Sequence, residues 1–110
     1  MKQYVVDEIR PGDISSVKAY MDQHFRLQAI EGLYWVLLDK ELYSDTQKAH
    51  RKCWPYYFAL ELKDEAVCAE LLVRSEKILR CNCVAYATNK QRQWLFHIID
   101  AMFEDLQLIT

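Results

Sequence analysis

The stretch Tyr56-Tyr57-Phe58-Ala59-Leu60-Glu61-Leu62-Lys63-Asp64-Glu65-Ala66-Val67-Cys68-Ala69-Glu70-Leu71-Leu72-Val73 decides the fold. Apolar residues recur at every second position on both sides of the polar pair Asp64-Glu65, which is the period of strands covered on one face and joined by a tight turn. A two-residue loop there sets Leu62 opposite Val67, Leu60 opposite Ala69, Phe58 opposite Leu71 and Tyr56 opposite Val73. All eight then share one face. Ser75-Glu76-Lys77 offers a second turn, and a third strand would return with Leu79 opposite Val73, Cys81 opposite Leu71, Cys83 opposite Ala69 and Ala85 opposite Val67. Tyr56 to Ala87 therefore reads as a three-strand antiparallel meander. In that register Cys81 and Cys83 face inward, and Cys68 faces the opposite side.

Working outward, Thr88-Asn89-Lys90-Gln91 has the spacing of a capping box, and Leu95, Ile98, Ile99, Met102 and Leu106 then recur on one helical face almost to the C-terminus. This helix is expected to cover the apolar side of the meander. Upstream, Ser44-Asp45-Thr46-Gln47 is a second capping box, opening a helix that must end near Trp54 because Pro55 disfavours helical geometry before it. Leu33-Tyr34-Trp35-Val36-Leu37-Leu38 is apolar or aromatic throughout, as in a central strand. Asp13 offers an N-cap to a helix in which Ile14, Val17, Met21 and Phe25 share a face, and Gln3 to Ile9 reads as a first strand. The order strand, helix, strand, helix, meander, helix predicts a two-layer α+β domain with a mixed sheet of about five strands and the first and last helices packed against it.

The chain has 110 residues, 52% hydrophobic and 27% charged, the make-up of one compact domain over residues 1–110. Fourteen Lys and Arg against sixteen Asp and Glu leave a net charge of −2, which supplies no broad positive field for a nucleic-acid backbone. The longest apolar run falls far short of the roughly 20 residues a membrane span needs, so a cytoplasmic protein with reduced cysteines is expected.

Candidate chemistry is sparse. His50, Cys53, Cys81 and Cys83 are the residue types zinc prefers, and iron also takes thiolates; they form the metal or redox candidate. Against it, inward-facing Cys81 and Cys83 read as small hydrophobes beneath the last helix, with no metal or other cofactor needed. Glu61 and Glu70 would be diagonal neighbours on the other sheet face, a possible acid and base, although Arg80 beside them describes an ordinary charge network. Lys90 and Arg92 beside the Thr88 helix start could flank an anion. The mixed face around Tyr57, Leu72, Val84 and Tyr86 has the composition of an association surface. These readings rank as a small binding module that pairs with itself, then a metal or redox protein, then a small enzyme with a carboxylate or Cys-His site. No catalytic motif is recognisable.

Overall fold

The computed structural model describes residues 2–108. Strands β1 (Gln3–Val6), β2 (Arg26–Leu27), β3 (Leu33–Leu37), β4 (Tyr56–Leu62), β5 (Val67–Glu70), β6 (Leu72–Ser75) and β7 (Ala85–Tyr86) accompany helices α1 (Pro11–His24), α2 (Asp45–Ala49) and α3 (Asn89–Asp105). The architecture is α+β, as the sequence predicts. Five strands have four or more residues and two have only two; every pairing is antiparallel, so the expected mixed sheet is not mixed. The principal sheet order is β1-β5-β4-β3-β2, and β6 pairs with β4 and β7.

Burial explains the layering. Tyr34 and Val36 of β3, Tyr56, Phe58 and Leu60 of β4, and Val67, Ala69 and Val73 of the next two strands point into one core with Val17 and Met21 of α1 and Leu95, Ile99 and Met102 of α3. On the opposite face, Trp35 stacks on Tyr57 at 3.9 Å between ring centres, and Leu37 and Val5 remain exposed. Tyr4 and Tyr20 tie the first part of the chain to α3, donating to the carboxylates of Asp100 and Asp105 at 2.7 and 3.2 Å.

The first hairpin has the expected register, with Leu60 opposite Ala69 and Leu62 opposite Val67. Beyond it the pairing slips by two residues, setting Tyr56 opposite Ser75 instead of Val73. A slip of two preserves side-chain parity, so Val67, Ala69, Leu71, Val73 and Ser75 are all buried.

The third meander strand does not form as expected. Four residues of β1, from Gln3 opposite Glu70 to Val6 opposite Val67, occupy the edge of β5 that the segment around Cys81 and Cys83 was expected to take. A strand edge accepts one neighbour, and β1 holds it. Leu71 donates its N–H to Lys2 O and accepts from Ala87 N, so only Ala85 and Tyr86 reach the sheet, opposite Val73 and Leu72. Residues 76–84 become a loop.

Smaller differences have local causes. Helix α1 starts at Pro11, whose fixed φ suits a first helical position, and Asp13 lies in its first turn without acting as the cap. Strand β1 stops at Val6, before Glu8 at φ +56°. The helix from Ser44 runs only to Ala49 and is followed by a 3-10 turn, Arg51–Cys53.

Candidate metal centre

Both capping boxes form as the sequence predicts, and their glutamines do more than cap. Gln47 accepts from Ser44 N, and Gln91 from Thr88 N, closing the first turns of α2 and α3. Both side chains are buried, and they meet: Gln91 Nε2 donates to Gln47 Oε1 at 2.9 Å and to Leu42 O at 2.9 Å. Gln47 Nε2 in turn donates 3.2 Å to the carbonyl of Cys83. This chain of amides fastens the 76–84 loop to the starts of two helices. Buried polar groups must be paired, so each bond fixes the position of the next.

Cys53 is anchored independently. Its N–H donates to His50 O at 2.9 Å, and its carbonyl accepts from the Ser75 hydroxyl at 2.5 Å. The same Ser75 oxygen accepts from Lys77 N and Ile78 N at 3.1 Å each, turning the chain out of β6 and into the loop. The loop then closes on itself through Val84 N donating to Cys81 O at 3.0 Å.

The two anchors bring three thiols together. The sulfurs of Cys53, Cys81 and Cys83 all lie within 4.8 Å of one another, the one group of three or more potential metal-ligating side chains of this kind among the described residues. Cys53 and Cys83 are 2% and 1% exposed, and Cys81 is partly exposed. Burial, with hydrogen bonds to the other two thiols, pushes the Cys53 thiol up to about 11. Cys81 is held below the ordinary thiol range, first by the backbone N–H of Cys83, then by the Cys83 and Cys53 thiols and the charge of His50. Burial and the neighbouring Cys83 also raise Tyr56, whose hydroxyl donates to Gln47 O at 3.3 Å.

His50 lies at the edge of this group. It lines a cavity of about 410 Å³ together with Cys53 and Cys81, and stays outside the 4.8 Å cluster. Its Nδ1 sits 2.6 Å from Thr46 O. A carbonyl can only accept, so Nδ1 carries a proton, and Nε2 is the ring nitrogen left to bind a metal. A backbone carbonyl behind the ring is the usual support of a metal-binding imidazole.

The other candidates are placed as follows. Cys68 stands on the outer sheet face, opposite Glu61 and Val5, as expected. Glu61 and Glu70 both border a depression of about 150 Å³. Glu70 is engaged by Arg74 in a two-pronged pair at 2.5 and 3.2 Å, and Glu61 lies 3.9 Å from Lys63. Arg80 was expected beside them, but it lies in the exposed 76–84 loop. The Thr88 hydroxyl accepts from Gln91 N at 3.2 Å, and Arg92 donates to Ala87 O at 3.1 Å and to Asn89; Lys90 is exposed. On the expected association face Tyr57 is buried, Leu72 half-buried and Tyr86 exposed. Val84 departs from that expectation, packing against the core from the loop because no strand forms around it.

Sequence reasoning therefore named the three sulfurs and the imidazole but not what assembles them. The alternation around Cys81 and Cys83 reads as a strand beneath α3, whereas both residues lie in the 76–84 loop. The missed residues are Gln47, Gln91 and Ser75. For the first two a signal existed: both capping boxes carry glutamine, whose second amide group is free to bond onward. No protein-family model, curated protein or solved structure matches this chain.

Proposed function

We propose that this protein binds one zinc ion through the thiolates of Cys53, Cys81 and Cys83, with Nε2 of His50 as the fourth ligand. The convergence of three sulfurs from a 3-10 turn and a separate loop carries the reading. Zn–S bonds of about 2.3 Å in a tetrahedron place sulfurs ~3.8 Å apart. Sulfurs already within 4.8 Å need to close by only about 1 Å, and the His50 ring needs to swing in from the cavity wall. Three cysteines and a histidine favour zinc over an iron–sulfur cluster, which takes four thiolates; the fourth cysteine, Cys68, is on the wrong face of the sheet. In this role the metal fastens the 76–84 loop, which has little hydrogen-bonded structure of its own, to the core.

The test is elemental analysis of protein purified without chelators, followed by titration of the metal-free protein with cobalt(II) as a spectroscopic stand-in. About one zinc per chain and thiolate-to-cobalt absorption with tetrahedral visible bands are expected. Both should be lost in Cys53→Ser and Cys83→Ser and kept in Cys68→Ser. Absence of stoichiometric metal together with a featureless cobalt spectrum refutes the proposal.

Self-association through the outer sheet face has less behind it. Its charges are already paired within the chain, Arg74 with Glu70 and Arg26 with Glu76, and the Trp35 and Tyr57 rings stack on each other. No helix among the described residues is long and apolar enough to cross a membrane. Catalysis by Glu61 and Glu70 is disfavoured by their ion pairs with Lys63 and Arg74.

A further inference from the structure

The cavity beside the thiols is chemically lopsided. Cys53 and Cys81 share its wall, Ala49 and Ile78 make it apolar, and His50, Arg51 and Lys52 are its charged or chargeable lining; among the described residues no carboxylate borders it. Its volume of about 410 Å³ lies in the range of small-molecule sites. Access to the sulfurs is graded: Cys81 is partly exposed, and Cys53 is 2% exposed. A reagent entering the cavity therefore meets Cys81 first, while Cys53, nearly closed to solvent, has the Cys81 sulfur within 4.8 Å.

From this arrangement we infer that the metal-free protein exchanges with small anionic disulfides, Cys81 attacking and Cys53 resolving. The Cys81 thiolate attacks one sulfur of R–S–S–R, forming a Cys81–S–S–R bond and expelling RS⁻, which takes a proton. The Cys53 sulfur then attacks the Cys81 sulfur, forming a Cys53–Cys81 disulfide and expelling the second RS⁻, which takes the proton Cys53 gives up. Two protein thiols are oxidised by two electrons, and the small disulfide is reduced to two thiols. Cys83 remains a thiol, since a bridge to Cys81 two residues away would force a very tight ring. The basic lining selects charge: carboxylate-bearing disulfides are drawn in, and cationic ones are repelled. This inference uses the same sulfurs as the proposed zinc site but requires no metal.

The experiment compares oxidised glutathione, which is anionic, with cystamine, which is cationic, on chelator-treated full-length protein, with intact mass and peptide mapping as readouts. Oxidised glutathione should react roughly tenfold faster at low ionic strength, and salt should shrink the difference. The product should be lighter by about two mass units, with the bridge mapping to Cys53 and Cys81. Cys53→Ser should stop at the glutathione adduct on Cys81, and Cys81→Ser should not react. A mutation-free check is limited labelling of the wild type with iodoacetate, expected to mark Cys81 before Cys53 and Cys83. Equal rates for the two disulfides, a bridge elsewhere, or first labelling at another member of the cluster overturns the inference. Zinc uptake is measured separately on reduced protein, so loss of either property leaves a distinct signature.

Discussion

Replacing Gln47 with leucine removes the hub that joins both helix starts to the Cys83 loop. The variant keeps approximate volume but deletes three side-chain hydrogen bonds: from Ser44 N and Gln91 Nε2 to Gln47 Oε1, and from Gln47 Nε2 to Cys83 O. Ser44 N lies near the surface, where water can replace the lost acceptor. The carbonyl of Cys83 and one N–H of Gln91 are buried, and each group left unpaired costs about 1–3 kcal/mol. Extra apolar burial offsets part of that, leaving a loss of about 3 kcal/mol. At about 4 °C per kcal/mol for a domain of this size, Tm should fall by about 12 °C. Urea denaturation of the metal-free protein measures the loss directly. Gln91→Leu and the double variant complete a cycle, in which the shared 2.9 Å bond should appear as a coupling of about 1–2 kcal/mol. Because the Cys83 backbone is released, affinity at the proposed zinc site should also drop by about tenfold, as is typical when support behind a ligand is removed. A loss below about 1 kcal/mol, or strictly additive single variants, would show that the amide chain does not hold the loop.

Other consequences follow from single positions. Gly32→Ala should lower the urea midpoint by the equivalent of at least about 1 kcal/mol, since Gly32 has φ +83° and a Cβ there would meet Leu62 O at 2.9 Å. Leu60→Ala, at a fully buried position of the central strand, should cost about 3–5 kcal/mol; a cost below about 1.5 kcal/mol by the same assay would contradict its place in the core. The metal-free protein should lose stability in alkali. Cys53 ionises at about 11 in the fold against an ordinary 9.0, and Tyr4 and Tyr34 at about 12 against 10.0, chiefly through burial. A folded-state pKa raised in this way stabilises fully below the unfolded value and is lost as pH climbs through the folded one. Urea midpoints should therefore hold to about pH 9 and decline toward about pH 12, and a midpoint independent of pH across that window would contradict the burial of these groups.

The alternation around Asp64-Glu65 was enough to read the first hairpin and its inward face, because a strand's two-residue period and a tight turn leave one register that buries every apolar side chain. Both capping boxes were equally legible, since the hydroxyl and the amide that satisfy a helix start lie within four consecutive residues. The third meander strand was misread for a different reason. Residues 79–85 alternate well enough to pair, but β1 takes the edge of β5, and nothing near residue 80 announces a competitor from residues 3–6.

The same competition hid from the sequence what brings the thiols together. Composition and spacing supplied Cys53, Cys81, Cys83 and His50 as candidate ligands, and parity put Cys68 on the other face; these are local properties, fixed by side-chain chemistry and strand geometry. Whether the sulfurs meet depends on long-range contacts. Once β1 excludes residues 76–84 from the sheet, their backbone must find other partners, and Gln47 and Ser75 draw both ends of the cluster together. Those bonds join segments dozens of residues apart, so only the folded chain brings the groups that choose the loop's path within reach of it.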